Sequence, residues 1–437
     1  MVKKLVLTIF FTALLLSGLG LTGSAYCTSE SSSNSLASDV SSTVWSITWN
    51  HTYAGSNLLE VDSIIQTADG GYLLGGTTST SPGTVTKIEV VKVDSSGNLQ
   101  WNKTYEGIGN HYSKWLIQTS DGEYALAGEY LSAGQNEIGF WLAKIDTDGN
   151  IRWTKTYIGE GFSWAVSLTQ TSDGGYALTG PTNVTSTSPA GDMDIWLVKT
   201  DSLGNQQWSK TLGDGMVNSV IQTSDGGYAL TGYMYIDNSP DYLLIKTSST
   251  GDMQWTKTYG SEDKDVAYTV VQTSDEGYAL GGWMWLRSNG GGANFAIVKT
   301  DASGNEQWTQ YYGEAFARCM IQTKDGGFAL GGNKLVKVDS AGNEQWKVSF
   351  GENNTTNYEA YSVIQTQDGG YAIAGASYPT TGNPITYAWL AKIDSTSPIQ
   401  SPTPTASIPE SPSWIVIALL VATTASLLAT RKKIRNF

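Results

Sequence analysis

Forty carboxylates, 16 tryptophans and 23 tyrosines set the chemistry open to this 437-residue chain, because only two histidines and two cysteines stand beside them. His51 and His111 are too few for a histidine metal centre or a triad, and Cys27 with Cys319 supply neither a thiolate zinc site nor a disulfide framework. The informative pattern is aromatic residues next to acids. His111 and Tyr112, Trp115, Trp164, Tyr235, Asp263 and Asp265, Trp283 and Trp285, and Arg318 lie in or beside links of variable length. Aromatic faces stack on sugar rings while carboxylates accept hydroxyl hydrogen bonds, so the pattern points to saccharide binding. Hydrolysis of a glycoside would need two carboxyl groups at a fixed separation, one with a raised pKa. No spacing in the sequence marks such a pair. Asp146-Thr-Asp148-Gly-Asn150 places oxygen ligands at alternate positions, as calcium loops do, but lacks the later bidentate Glu. The same residues are also ordinary turn chemistry. Asn50, Asn102, Asn183, Asn353 and Asn354 are N-glycosylation sequons. No phosphate-binding glycine loop or nucleophile elbow is present.

The elements that position these residues repeat. A tryptophan recurs at Trp49, Trp101, Trp153, Trp208, Trp255, Trp308 and Trp346, with spacings of 52, 52, 55, 47, 53 and 38. Each unit also carries a Gln-Thr pair, an Asp-Gly-Gly-Tyr type turn and a closing lysine, as at Gln222, Asp225 and Lys246. The apolar segments are short, rich in aromatic and β-branched residues, and bounded by turn signals. None sustains a 3.6-residue period, so helices are expected to be nearly absent. Four short antiparallel strands per unit, seven times over, predict an all-β, seven-bladed β-propeller over residues 44–397. The first unit opens on a tryptophan strand and the last stops after Lys392-Ile-Asp394. The N-terminal strand is therefore expected to complete the last blade and remove the free sheet edges.

The stretch from Val198 to Trp208, in which an Asp…Gly turn leads to a docking tryptophan, resembles the repeat of quinoprotein-type propellers. The whole set is similar to propeller-type surface proteins of archaea. The resemblance specifies architecture, not activity. Quinone-dependent dehydrogenases often place adjacent cysteines near the cofactor, which Cys27 and Cys319 cannot provide. No organic cofactor is expected; calcium is the one ion for which a loop is offered. The seven tryptophans, repeated once per blade, are expected to dock blade on blade.

Residues 1–25 read as a secretory signal peptide and 26–43 as a Ser-rich linker. Residues 398–413 form a Pro/Ser/Thr-rich stalk, 414–430 an uncharged transmembrane helix, and 431–437 a basic cytoplasmic tail. This layout resembles archaeosortase-type sorting tails, with Pro409-Glu410-Ser411 where the nearest variant has Pro-Glu-Phe. Either tail cleavage or a permanent anchor would hold the propeller outside the cell, at the membrane.

Net charge is −14, and outside the two basic ends 20 Lys and Arg face 40 Asp and Glu. That excludes a general nucleic-acid binder, which needs a basic surface. The sequence thus points to a monomeric propeller binding a cell-envelope glycan or a surface protein. A glycan-active hydrolase or lyase on the same scaffold is the alternative. In a four-stranded meander alternate links share a face, so one face should be short and uniform and the other long and varied. The varied face is the expected binding surface.

Overall fold

The computed structural model describes residues 44–396 except 54–57, 79–86, 106–114, 132–137, 183–192, 288–290, 315, 351–355 and 381–385. The expected signal peptide, stalk, transmembrane helix and tail lie outside the described residues. So do His111, Tyr112, Asn183, Asn353, Asn354 and the side chain of Trp115.

The described residues form 28 β-strands in seven four-stranded antiparallel sheets. Blade I is β2–β5 (58–105), blade II β6–β9 (115–157), blade III β10–β13 (167–214) and blade IV β14–β17 (216–259). Blade V is β18–β21 (265–314) and blade VI β22–β25 (319–349). Blade VII combines β26–β28 (356–396) with β1 (Val44–Thr52), the N-terminal strand. Trp49 pairs with Lys392 in that sheet, so the closure expected from the phase of the repeats is present. The first strands of successive blades are neighbours in unbroken order around the ring and surround a central channel.

Burial explains the residue pattern. The third strand of blade I, β4 (Lys87–Val93), is buried at six of seven positions because blades cover both its faces. The outer strand β5 (Leu99–Tyr105) alternates instead, turning Trp101 inward and Asn102 outward. Asn50 is likewise exposed beside Trp49. Each outer strand then grips the next blade. Trp153, Trp208 and Trp255 meet Tyr176, Tyr228 and Tyr278 edge to face, with centroids 5.9, 5.7 and 5.9 Å apart. Two residues past Trp153, Lys155 reaches the Asn205 side chain at 3.0 Å. Two further on, the Tyr157 hydroxyl donates to the Gly204 carbonyl at 2.7 Å. In the closing seam His51 takes the lysine's place and contacts the Ser96 carbonyl through Nε2 at 2.9 Å.

The repeated lysines do not line the channel. Lys199 is buried within its own blade, 2.8 Å from Asp173, and also donates to the Thr200 carbonyl. The second glycine of the turn makes room for it: a Cβ on Gly175 would stand 2.7 Å from the Lys199 Nζ. The repeated glutamines link blades. Gln222 Oε1 accepts from the Ser172 amide of the preceding blade at 2.7 Å, and its amide nitrogen donates to the Gly226 carbonyl of its own turn. Gln170, Gln272, Gln365 and Gln66 accept in the same way from preceding blades. These residues satisfy turn amides of the preceding blade.

Candidate binding site at the channel mouth

The turns from first to second and third to fourth strand lie on one face. The other face carries the second-to-third links and the crossings between blades, which vary in length. At that varied end the inner strands depart from the repeat. Four residues before the repeated glutamine stand Asp62, Lys114, Val166, Asn218, Tyr268, Arg318 and Tyr361. Lys114 lies outside the described residues. At Asp62, Asn218, Tyr268 and Tyr361 the strand pairing shifts register by a bulge. A bulge bends the strand and re-aims the extra side chain.

Three of these side chains meet from three successive blades. The Arg318 guanidinium lies 5.7 Å from the Tyr268 ring centroid and 5.5 Å from that of Tyr361. Its Nε donates to Glu359 Oε1 at 2.7 Å, and the Tyr361 hydroxyl reaches Glu359 Oε2 at 3.3 Å. Burial, then the Glu359 charge, pushes the Tyr361 phenol far above its ordinary pKa. Asn218 spans to the next blade, donating to the Ala267 carbonyl at 2.8 Å.

Further rings flank this group. Tyr233 meets Tyr235 edge to face at 5.9 Å, and Tyr235 is exposed. Trp283 meets Phe316 the same way at 5.2 Å, with Phe316 46% exposed. The candidates Tyr235, Trp283 and Arg318 thus fall on one side of the mouth, across blades IV to VI. Trp164 is half-buried in the crossing into blade III.

Asp263, Asp265 and Trp285 form a separate cluster with a structural task. Asp265 is wholly buried and accepts from the Ser261 and Trp285 amides at 2.7 and 3.0 Å. Asp263 pairs with Arg287 at 2.8 Å. Asp241 stands close to Asp265 across Gly260: a Cβ there would lie 2.6 Å from Asp265 Oδ2 and 3.0 Å from Asp241 Oδ1. Burial, and then the Asp265 charge, pushes the Asp241 carboxyl up to about 6. Burial also raises Asp265.

Among the described residues no three His, Cys, Asp or Glu side chains converge as a metal cluster. In the Asp146 loop, Asp146 Oδ1 accepts from the amides of Asp148 and Asn150, and Oδ2 from the Asn150 side chain. Those bonds brace a turn. Cys319 is a free thiol, pushed up to about 12 by burial.

Tyr268, Tyr361, Glu359, Asn218 and Asp241 were not among the residues singled out by sequence. One signal could have found the first, second and fourth: they fill the position that changes from copy to copy inside a strand otherwise repeated. Asp241 carried no such mark.

At the opposite end the channel opens into a cavity of about 620 Å³ lined by Gln170, Gln222, Gln272, Thr169, Ile221 and Val271. It is built from the repeated positions, so it is a product of the repeat.

No protein-family model and no curated protein matches the chain. Solved structures match its fold. The WD40 domain of Neurospora crassa Pan2 is 8% identical, with a TM-score of 0.50 over 80% of this chain and 96% of that one. Chaetomium thermophilum Sqt1 is 12% identical, with a TM-score of 0.48 over 75% and 84%. A Dyadobacter fermentans protein of unknown function is 10% identical, with a TM-score of 0.47 over 80% and 99%. At such identities the likeness speaks to architecture alone: the chain is a seven-bladed β-propeller with WD40-like structural neighbours.

Proposed function

We propose that this chain is an extracellular propeller, held at the membrane by its tail, that binds a cell-envelope glycan or a surface protein through the varied face. The observation that carries the binding site is the run of rings at the channel mouth: Tyr235 on Tyr233, Phe316 on Trp283, and Arg318 between Tyr268 and Tyr361. Rings of this kind offer flat apolar area at low entropic cost, and the acids beside them accept hydroxyl hydrogen bonds. Of the two ligand classes we favour glycan, because exposed ring faces beside carboxylates match the two faces of a sugar. The signal segment and the Pro409-Glu410-Ser411 tail support an archaeal cell-surface setting.

A glycan-active enzyme is the alternative. On its side stands Asp241, which holds its proton to about pH 6, as a general acid must. Against it, Asp265 has no exposed surface with which to reach a substrate. The test is retention of the full-length chain on insoluble polysaccharides and envelope preparations, with soluble sugar assayed in the same tubes. Retention without released sugar supports the binding module. Released sugar, abolished by Asp241→Asn, moves the assignment to an enzyme. Retention on no polysaccharide, with capture of an envelope protein, removes the glycan.

A further inference from the structure

We infer that Arg318 selects ligand charge at the channel mouth, and that the preferred ligand is a saccharide bearing a carboxylate, a uronic acid. This inference rests on the glycan reading above.

The guanidinium is held from three directions. Tyr268 and Tyr361 flank it, and Glu359 takes its Nε proton. An arginine so fixed has lost its rotamer freedom before any ligand arrives, so ligand binding does not have to freeze it. Nε is one of five donors on a planar fork. The bond to Glu359 engages Nε, and the two terminal nitrogens carry the other four donors. The Arg318 side chain is 39% exposed while that of Glu359 is 16% exposed, so the open edge of the fork belongs to the arginine. A planar, partly exposed guanidinium fork matches the two oxygens of a carboxylate.

The neighbouring ring gives the rest of the ligand. Phe316 stands two residues before Arg318 on the same rim and is exposed, backed edge-on by Trp283. A pyranose on the Phe316 face would carry its carboxylate toward the fork. A linear acidic peptide would use the fork but not the platform. The protein's negative charge does not forbid an anionic ligand, because fields from exposed charges fade beyond about 8 Å at physiological salt. The contact decides.

The test uses full-length chain in mild detergent and three immobilised probes: polygalacturonate, its methyl ester and polyglutamate. Polygalacturonate should be retained at least about 10-fold more tightly than the ester, the scale of a charge-assisted bond. Arg318→Gln should lower retention on polygalacturonate by at least about 10-fold and so erase that difference. Glu359→Gln should tighten polygalacturonate binding several-fold, since it removes the carboxylate that competes for the same cation. That gain cannot come from a misfolded variant. Equal retention of acid and ester, or an Arg318→Gln variant that keeps the preference, overturns the uronate inference while the glycan reading stands. Retention of polyglutamate without polygalacturonate overturns it in favour of an acidic peptide. Retention of none of the three, with neutral glycans also refused, overturns both readings.

Discussion

Trp346 and Trp45 lie face to face, with ring centroids 4.5 Å apart and planes 14° from parallel. At other junctions the repeated tryptophan rests on a turn glycine of the next blade, as Trp153 does on Gly204. Blade VII has no such turn, because its outer strand is β1, brought from the other end of the chain. Trp45 fills the place, and Tyr371 closes on both rings at 5.5 and 5.4 Å.

Trp45→Ala is therefore expected to cost about 2–3 kcal/mol, below the full value for a buried tryptophan because the ring is only half-buried. Urea denaturation of Trp45→Ala, Trp346→Ala and the double variant would check it. The two losses should not add, since each removes the same contact. Additive losses would mean the stack contributes nothing of its own.

The propeller was legible because its cause is local. Trp208, Gln222, Asp225 and Lys246 each recur seven times, and the Lys–Asp pair forms in all seven blades. Strand period, turn chemistry and repeat phase all agree on the same fold. The mouth was half legible. Arg318 and Trp283 stood out by residue type, but their meeting with Tyr268, Glu359 and Phe316 depends on bulges and on contacts across blades. Asp265 looked like a sugar-facing acid beside Trp283. Its burial follows from the path of the 260–264 crossing, which it holds by accepting the Ser261 amide. No spacing in the sequence encodes that path.

Glycine at position 204 should be indispensable for a reason separable from backbone strain. Gly204 and Gly213 both have positive φ, +76° and +88°. A Cβ on Gly204 would sit 2.6 Å from the Trp153 ring, whereas one on Gly213 would meet nothing within 4 Å. Gly213→Ala should cost about 1–2 kcal/mol, the left-handed penalty alone. Gly204→Ala should cost about 1–2 kcal/mol more, as overpacking adds to strain. Thermal midpoints of the two variants, side by side, decide it; equal losses would remove the tryptophan from the explanation.

Stability should peak in mild acid. Burial opposes ionisation of Asp173 and Asp225, but Lys199 with Thr171, and Lys246 with Thr223, more than reverse it and hold both near about 2. Their contribution is full above the unfolded carboxylate value of about 3.9 and fades as pH falls through 2. Asp241 has the opposite sign. With a folded value of about 6, it takes up a proton sooner in the native state, so stability rises as pH falls from 7 toward 4. Urea midpoints from pH 3 to 8 should rise and then fall on acidification. Asp241→Asn should flatten the limb between pH 5 and 7 and leave the acid limb intact.

Gln222→Ala should loosen one blade boundary. The change removes a bond to the Ser172 amide and one to the Gly226 carbonyl. Global stability should drop by about 1–2 kcal/mol. Hydrogen exchange at the Ser172 amide should accelerate more than at amides of blade VI, which a general loss of stability would not produce.

The closing strand has a consequence for how the molecule is made. Thr48 bonds to the Lys392 carbonyl across 344 positions of chain. The first strand among the described residues is thus the last to find its partner, and joining ends so far apart carries a loop-closure cost of roughly 5 kcal/mol. Until residue 396 has emerged, β1 is an orphan edge, open to pairing with any strand nearby. A chain that stops before β28 keeps that edge exposed. The seam therefore reports whether translation ran to the end of the last blade.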